Sequence, residues 1–361
     1  MTSKPIMIMA GGTGGHVYPA LAVANYLQQQ GVPLLWLGTR KGLEAKVVPS
    51  NGYQLLTINI SGLRGKGLVK WIISPFIILF ALVQSVFILF RRRPAVVLGM
   101  GGFVSGPGGI AAWILRIPLC IHEQNAIAGL TNRILAPFSK TVMAAFPDAF
   151  KKSVYVQLTG NPVREEILNV HSLKSQSNTS EDDILRLLVI GGSLGARSLN
   201  EVIPQALNKL PADVKFEVKH QTGEKLLNET RDRYKTLGQN AQLIPFIDDI
   251  ASAYAWADIV ICRAGAMTIS ELAAVGVASI LIPYPHAVDD HQTANARYLS
   301  DNGAAYLFNE SEFTAEKLAA LLRDLFHSRS LLKEMSISAR NQARPRATQH
   351  VSELCLEAAY V

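Results

Sequence analysis

Two glycine-rich turns hold the residue types best suited to bind a phosphorylated ligand. The first is GGTGGH at residues 11–16, and the second is GGSLGA at residues 191–196; each directly follows an apolar run. Both patterns predict a strand, a turn and a helix, which leaves backbone N–H groups at a helix N-terminus where the dipole favours negative charge. Glycine lets an anion approach because it has no Cβ. The pair indicates a phosphorylated substrate, although either turn alone could serve only tight packing.

The spacing within these turns argues against two common nucleotides. After Gly12 and Gly14, the third position of a dinucleotide-binding pattern falls on Val17, and the sequence contains no GxxxxGK[ST] segment. NAD and ATP are therefore disfavoured, and we expect no cofactor.

A candidate general base stands at the end of the first turn. His16 has the proton affinity that suits base catalysis near neutral pH. The HEQN quartet at residues 122–125 ends another predicted strand, which is where ligands bind in open α/β sheets. Glu123 could orient His16, act as the base itself or bind a sugar hydroxyl. A capping role for His16 and a scaffold role for the quartet are the alternatives.

Three further segments place glycine or polar residues after predicted strands. Residues 99–109 hold six glycines in eleven and predict a third anion cradle or a flexible loop. Glu271 lies one turn into a predicted helix, where it can accept from two ribose hydroxyls or merely favour the helix start. Residues 286–292 hold two His and two Asp without a closed metal-site pattern. We therefore expect sugar contacts from Gln292 and no metal.

The elements that position these residues follow from the hydrophobic pattern. Apolar runs alternate with helix-length segments, which predicts an α/β fold with parallel sheets. At 361 residues two domains are favoured, with boundaries at 1–162 and 163–344 around a turn-rich break at 159–162. Strands are expected at 5–10, 33–37, 53–58, 95–99, 118–122, 140–145, 185–190, 214–219, 241–245, 258–262, 278–282 and 304–308. Further expected elements are a helix from about Pro19 to Gln30 and a C-terminal helix from about Ala347.

Charge and cysteine content narrow the class of partner. The formal charge of +7 indicates an anionic partner, such as phosphate or an acidic membrane surface. No RNA-binding signature singles out nucleic acid. The three cysteines are far apart in apolar or helical contexts, as in reduced cytosolic proteins. The sequence enters a strand almost at once, so no secretory signal is expected.

Residues 71–90 form an uncharged apolar segment followed by three arginines. A membrane span, a core helix and an interfacial helix are the alternatives. With Ser74 as N-cap and Pro75 as the first helical residue, the helix to Phe90 is about 24 Å long, short of the bilayer core. We favour a helix that lies on an anionic bilayer. The expected membrane contacts are Trp71, Phe76, Leu79, Phe80, Val83, Phe87, Arg91 and Arg92.

Taken in order, eight segments resemble the family of peptidoglycan N-acetylglucosaminyltransferases. They are GGTGGH (11–16), GMGGFVSGPGG (99–109), HEQN (122–125), GNPVR (160–164), GGSLGAR (191–197), FIDD (246–249), RAGAMTISE (263–271) and HAVDDHQ (286–292). The resemblance spans nearly the whole chain. It implies the GT-B fold, with two doubly wound Rossmann-like domains facing across a cleft and the helix at 345–361 returning to the first. It also implies transfer of N-acetylglucosamine (GlcNAc) from UDP-GlcNAc to the muramyl pentapeptide of lipid I, giving lipid II at the cytoplasmic face of the bacterial inner membrane.

The same resemblance implies site residues. For the donor they are Thr13, Gly14, Gly15, Asn125, Arg164, Ser193, Ile247, Ala266, Met267, Thr268, Ile269, Ser270, Glu271 and Gln292. For the acceptor and its pyrophosphate we ourselves expect Gly102, Ser105, Gly106 and Glu123, with His16 as the base. His291 and Leu194 stand where relatives carry glutamine, which leaves a second sugar contact by His291 open.

The implied mechanism is displacement with inversion at the sugar C1, without a divalent ion. Three other functions remain open from the sequence. One is a UDP-GlcNAc 2-epimerase on the same architecture. Another is a membrane-docked protein that binds nucleotide sugar without catalysis. The third is an integral membrane protein.

Overall fold

The computed structural model describes residues 4–60, 67–176, 184–192 and 194–360, without the side chains of 67–72, 172–176 and 288. Contacts divide the chain into two compact units, Met1–Arg164 with Pro345–Val361, and Glu165–Arg344. Each unit is built on one parallel sheet, in which buried β-branched and long apolar side chains fill both faces.

The first unit has a seven-stranded sheet of order β3-β2-β1-β4-β5-β6-β7. Its strands are β1 Ile6–Met9, β2 Leu34–Gly38, β3 Leu55–Thr57, β4 Val96–Gly99, β5 Leu119–Glu123, β6 Thr141–Ala144 and β7 Gln157–Leu158. Its helices are α1 Gly14–Gln29, α2 Glu44–Ser50, α3 Gly67–Arg92, α4 Ser105–Ile114 and α5 Leu130–Leu135, with a 3₁₀ turn at Ala136–Phe138.

The second unit has a six-stranded sheet of order β10-β9-β8-β11-β12-β13. Its strands are β8 Ile184–Ile190, β9 Lys215–Gln221, β10 Gln242–Ile244, β11 Ile259–Cys262, β12 Ala278–Leu281 and β13 Ala305–Leu307. Its first helix, α6 Glu165–Gln176, precedes these strands. The other helices are α7 Arg197–Asn208, α8 Leu227–Thr236, α9 Ile250–Trp256, α10 Ala266–Val275, α11 His291–Ser300, α12 Ala315–His327 and α13 Arg329–Asn341, and α14 Ala347–Tyr360 belongs to the first unit. Short 3₁₀ turns lie at Glu224–Leu226, Val288–Asp290 and Glu310–Glu312.

The two faces of the first sheet carry different helices. Helices α1 and α14 pack on one face, in a core that includes Cys120 and Cys355. Helices α3, α4 and α5 cover the other face, in a core that includes Ile121 and Ala81. Successive residues of a strand point to opposite faces. Residues 120, 122 and 124 of β5 and its continuation therefore point towards α1 and α14, whereas 121 and 123 point towards α3, α4 and α5.

The predicted strands agree with the observed ones to within two residues at each end, whereas two helix starts were wrong. Helix α1 begins at Gly14 and contains Pro19, because Thr13 is extended and its carbonyl already accepts the N–H of Val17. Helix α3 begins at Gly67 and contains Pro75, so the expected start at Pro75 and the length argument built on it are both incorrect. The short strand β7 was not expected.

Candidate functional site

A buried carboxylate holds the first glycine turn. Glu44, which is fully buried, accepts the N–H of Gly12 at 2.9 Å with one oxygen. Its other oxygen accepts the N–H and the hydroxyl of Thr39 at 2.9 and 2.7 Å. Because Gly12 has a φ of +93°, a side chain there would be strained. The turn is thus fixed by a negative charge beneath it, which the sequence analysis missed.

His16 lies in the first turn of α1 and is half-buried. Its Nδ1 lies 3.0 Å from Oε1 of Gln124, which is buried. Gln124 in turn reaches Nδ1 of the fully buried His122 at 3.1 Å. The structure therefore joins His16 to the HEQN quartet, but through Gln124.

The expectation that Glu123 orients His16 is wrong, because that side chain lies on the other face of β5. Its carboxylate accepts the N–H of Asn125 at 3.0 Å and that of Gly129 at 3.0 Å. It also accepts from the Nδ2 atoms of Asn125 and Asn132, at 3.2 and 2.8 Å. Glu123 is buried, and its contacts fix the loop that carries Asn125 and the start of α5.

Residues 99–109 comprise the end of β4, a loop at 100–104 and the first residues of α4, and the loop touches the first glycine turn through its own glycines. Gly101 has a φ of +98°, and a Cβ there would lie 2.5 Å from Nδ1 of His16. Gly102 has a φ of +82°, and a Cβ there would lie 2.2 Å from the carbonyl oxygen of Gly11. Glycine is thus required at position 101 for the close approach to His16, the candidate base, and at position 102 for the close approach to the first glycine turn.

Two predicted acceptor residues, Ser105 and Gly106, follow this loop as the first residues of α4. Ser105 is fully buried, and its hydroxyl donates to the carbonyls of Gly101 and Met9 at 2.8 and 3.3 Å. Its N–H donates to Gly102 at 3.3 Å, so both of its donors are engaged inside the unit. Gly106 is half-buried in the first turn of α4.

Four predicted donor residues of the first unit lie near the ends of its strands. Thr13 and Gly15 are exposed at the start of α1, and Gly14 is half-buried. The guanidinium of Arg164 lies 5.3 Å from the ring centroid of Tyr18, a cation–π contact that places it beside α1.

The second glycine turn rests on a buried polar network. Gly192 accepts the N–H of Gly195 at 2.9 Å and Nε2 of Gln221 at 3.1 Å. A Cβ on Gly195, whose φ is +77°, would lie 2.0 Å from the carbonyl oxygen of Thr222. Asn200 of α7 donates to that same carbonyl at 3.0 Å and contacts His220 at 2.9 Å. Ser193, the predicted phosphate contact, lies outside the described residues.

His220 is the buried histidine of this network. Its Nδ1 lies 3.0 Å from the hydroxyl of Tyr234. Burial lowers the pKa of His220 to about 3, so the ring is neutral at physiological pH. The side chain thus serves as a neutral hydrogen-bonding spacer behind the second turn.

Helix α10 divides the run from Ala266 to Glu271 between core and surface. Ile269 is fully buried and Ala266 nearly so, so their side chains lie in the interior of the unit. Met267, Thr268, Ser270 and Glu271 are half-buried. Glu271 accepts from the hydroxyl of the buried Tyr254 at 3.1 Å, a partner that the sequence analysis did not identify.

Gln292 lies in the first turn of α11, and its Oε1 accepts the N–H of Tyr284 in the preceding loop at 2.9 Å. Arg263 donates to the carbonyls of Ile282 and Pro283, both at 3.1 Å, and pairs with Glu310. These contacts join the strand ends of β11 and β12. Ile247 and His291 are half-buried, and Ile247 is followed by the loop whose Asp249 caps α9.

Within the described residues, no group of three or more His, Cys, Asp or Glu side chains is placed to hold a metal ion. The HAVDDHQ segment, whose Val288 side chain is not described, therefore contains no such group in its described part. The three cysteines are buried and unbridged.

Comparisons with known proteins agree with this architecture. The models of the glycosyltransferase family 28 N-terminal and C-terminal domains match residues 6–144 and 186–351. The chain is 51% identical over 354 residues, 98% of each chain, to the UDP-N-acetylglucosamine–N-acetylmuramyl-(pentapeptide) pyrophosphoryl-undecaprenol N-acetylglucosamine transferase of Nitrosococcus oceani. The crystal structure of MurG from Acinetobacter baumannii is 43% identical, with a TM-score of 0.82 over 98% of this chain and 99% of that one. A UDP-N-acetylglucosamine 2-epimerase structure is 14% identical with a TM-score of 0.68, covering 100% of this chain and 98% of that one, and shares the fold alone.

Two parallel α/β units, each with a glycine turn at the carboxyl end of its first strand, define a glycosyltransferase of the GT-B class, as predicted. Identity at this level over nearly the full length is more specific than the fold. The chain belongs to the glycosyltransferase 28 family, in the group of peptidoglycan N-acetylglucosaminyltransferases.

Proposed function

We propose that the enzyme transfers GlcNAc from UDP-GlcNAc to the C4 hydroxyl of the muramyl pentapeptide of lipid I, giving lipid II for the peptidoglycan wall. The observation that carries the proposal is full-length identity of 51% to a relative named for this transfer, in a chain that keeps the glycine turns and His16. The donor and the polyprenyl pyrophosphate acceptor both carry negative charge, which is attracted by the net positive charge of the chain.

The second unit is assigned the donor. Helix α7 begins directly after the second glycine turn. The free N–H groups at its start and the positive end of its dipole would stabilise a diphosphate bound at this turn. Ser193 is proposed as a further phosphate contact. Glu271 accepts from the ribose hydroxyls, the backbone of Ile247 contacts uracil, and Gln292 contacts the sugar. Asn125 and Arg164 of the first unit are proposed as additional donor contacts.

The first unit is assigned the acceptor and the base. His16 removes the proton of the C4 hydroxyl as that oxygen attacks C1 of GlcNAc. The bond between C1 and the diphosphate oxygen breaks, UDP leaves with the electron pair, and the configuration at C1 inverts. Backbone donors at the second turn stabilise the leaving diphosphate, which makes a divalent ion unnecessary.

The acceptor pyrophosphate is assigned to the loop at residues 100–104 and the start of α4. Since the donors of Ser105 are engaged, Gly102 and Gly106 are the better contacts among the predicted residues. The buried charge of Glu44 makes the first glycine turn a poorer phosphate site than the second, because a carboxylate already takes the N–H of Gly12.

Transfer of radiolabel from UDP-GlcNAc to a short-chain lipid I analogue, with and without EDTA, tests the function. We expect labelled product in both cases. His16→Ala should lower kcat by about 10²-fold, the usual contribution of a general base, while the affinity for UDP is kept. Unchanged turnover would remove His16 from this role. N-acetylmannosamine formed from donor alone would instead identify an epimerase, and donor binding without transfer would identify a non-catalytic protein.

We also propose that helix α3 holds the enzyme on the membrane. Phe76, Phe80 and Phe87 are 72%, 55% and 62% exposed on one side of the helix, together with Leu79 and Val83. The opposite side is buried against the sheet and α4, with Ala81, Ser85 and Leu89 inaccessible to solvent. Arg91 and Arg92 are exposed at its end. An exposed apolar stripe with basic residues suits the surface of an anionic bilayer.

The apolar surface continues beyond the predicted helix. Trp113 of α4 and Ile134 of α5 are about half exposed, and the ring of Phe138 packs against Trp113 in a tilted arrangement with centroids 4.9 Å apart. By length and composition, the described part of α3 from Ile73 to Arg92 could also cross a membrane. The burial of its other side in the core of the unit favours peripheral attachment. The side chain of Trp71 lies outside the described residues.

Binding to vesicles tests this attachment. Co-sedimentation with vesicles of phosphatidylglycerol and phosphatidylcholine should exceed that with phosphatidylcholine alone and should fall with salt. The triple variant Phe76→Ser, Phe80→Ser, Phe87→Ser should lose binding but keep affinity for UDP. Release of the cellular enzyme only by full solubilisation would identify an integral protein. Because the donor is a water-soluble nucleotide and the acceptor a lipid, we place the enzyme at the cytoplasmic face of the inner membrane.

A further inference from the structure

A row of hydrogen bonds runs from the carbonyl of Gly160 to His16. Nε2 of His122 lies 2.9 Å from that carbonyl oxygen, and Nδ1 of His122 lies 3.1 Å from Nε2 of Gln124. Oε1 of Gln124 lies 3.0 Å from Nδ1 of His16. His122 and Gln124 are buried, so water does not compete for these bonds.

The direction of the row is fixed at its buried end. A carbonyl oxygen only accepts, so Nε2 of His122 must carry the hydrogen. Burial lowers the pKa of His122 to about 4, so the ring is neutral at physiological pH. In a neutral ring with the hydrogen on Nε2, Nδ1 has the lone pair and accepts.

That acceptor fixes the orientation of the Gln124 amide. Its NH₂ group faces two acceptors, Nδ1 of His122 at 3.1 Å and the carbonyl oxygen of His122 at 3.3 Å. A flipped amide would place its oxygen against both of them. The backbone carbonyl of Gln124 is held as well, by Nδ2 of Asn161 at 3.0 Å. The amide oxygen is therefore the atom presented to His16.

We infer that Gln124, itself held by His122, is a positioning residue that keeps His16 in the Nδ1–H tautomer and so places the basic lone pair on Nε2. An amide oxygen can only accept, so the Nδ1 nitrogen that faces it must carry the hydrogen. The inference rests on the proposed role of His16 as the base of the transfer. Gln124 is an amide and takes up no proton, so the proton from the acceptor hydroxyl stays on His16.

The tautomer can be observed directly by ¹⁵N NMR of protein labelled at histidine, since protonated and unprotonated ring nitrogens have well separated shifts. Spectra are recorded at about pH 8.5, above the ordinary imidazole pKa of about 6.5. The resonances of His16 are identified by their loss in His16→Ala. We expect the hydrogen on Nδ1 in the unaltered enzyme, and a hydrogen on Nε2 would overturn the inference.

Substitutions then test the cause. Gln124→Met has similar length and replaces the amide oxygen by a thioether, which is only a weak acceptor. The imidazole of His16 should then populate a mixture of tautomers. We expect kcat to fall about 10-fold, the range for one hydrogen bond, with KM for UDP-GlcNAc unchanged. Tyr53→Phe removes a hydroxyl that contacts Asn25 and Gln28 in the first unit, at 2.7 and 2.8 Å, and should leave the His16 signals unchanged. A Gln124→Met enzyme that keeps the Nδ1–H tautomer contradicts the inference.

The inference and the proposed function fail in different ways. If the unaltered enzyme has the Nδ1–H tautomer but transfers no sugar to the lipid I analogue, the proposed function is wrong and the assignment of the tautomer stands. If sugar is transferred while His16 carries its hydrogen on Nε2, the function stands and the positioning role of Gln124 is wrong.

Discussion

Three glutamates near the strand ends differ in what their carboxylates contact. Glu44 and Glu123 are buried, and backbone N–H groups and polar side chains surround their oxygens. Such carboxylates are fixed parts of the scaffold, since removing them would leave several donors without partners. Glu271 is half-buried and accepts from Tyr254, so it is the one of these three that can also reach a ligand.

Tyr254 orients this carboxylate, so removing its hydroxyl should weaken ribose binding. Tyr254→Phe keeps the buried ring and loses one hydrogen bond to a charged group, a change that corresponds to roughly 10-fold in affinity. We expect the Kd for UDP to rise by about that factor, while the Kd for 2′-deoxy-UDP changes less, because the deoxy ligand lacks a hydroxyl for Glu271. Calorimetry with both nucleotides measures the difference.

Tyr53→Phe is the matched control. The hydroxyl of Tyr53 contacts Asn25 and Gln28 in the first unit, at 2.7 and 2.8 Å. Its loss should lower stability without changing either Kd. Equal weakening of UDP and 2′-deoxy-UDP by Tyr254→Phe would show that Tyr254 acts on the whole site and does not act through the ribose.

At the scale of elements, the loop after β4 lies in close contact with His16 in the first turn of α1. Gly101 has a positive φ and leaves room for the imidazole, as described above. Gly101→Ala should therefore push the ring away from Gln124 and lower kcat by up to about 10²-fold, the contribution expected of the base. The backbone strain adds about 1–2 kcal/mol of destabilisation. Steady-state kinetics and a thermal melt separate the two effects.

Gly52→Ala separates strain from displacement. Gly52 has a φ of +80°, and no atom lies within 4 Å of where its Cβ would be. This variant should lose a similar amount of stability and keep its kcat. If Gly52→Ala and Gly101→Ala lower kcat equally, the close approach of Gly101 to His16 has no catalytic importance.

Element identity was predictable where the hydrophobic pattern was unambiguous. Short apolar runs bounded by glycine gave the strands to within two residues. The predicted starts of α1 and α3 are wrong because proline favours the first position of a helix, whereas Pro19 and Pro75 lie inside these helices. The alternation of β5 was available from the sequence and would have placed Gln124, and not Glu123, on the face of His16.

At the scale of the whole molecule, the sequence located the strand-end segments but not the contacts among them. Glu44 meets Gly12 across 32 positions, and Gln124 meets His16 across 108. Such pairs depend on strand order and crossover geometry, which local patterns do not encode.

Each unit contains one fully buried histidine beside its glycine turn, and this pair should make the molecule sensitive to acid. The pKa of His122 is lowered to about 4 and that of His220 to about 3, against about 6.5 in an unfolded chain. Below pH 6.5 the unfolded state binds more protons than the folded state. The free energy of unfolding therefore falls as pH decreases, by about 1.4 kcal/mol per pH unit for each histidine, and this loss continues until the folded pKa is reached.

Thermal melts between about pH 6.5 and pH 4.5, above most carboxylate titrations, measure this dependence. His220→Gln replaces a titratable ring by a neutral amide that can still contact Asn200 and Tyr234. It should reduce the slope of Tm against pH, whatever its effect on Tm at pH 7. If the two units melt separately, His220→Gln should flatten only the transition of the second unit, and His122→Gln only that of the first. Unaltered slopes in both variants would show that carboxylates, and not these buried imidazoles, set the acid limit of the fold.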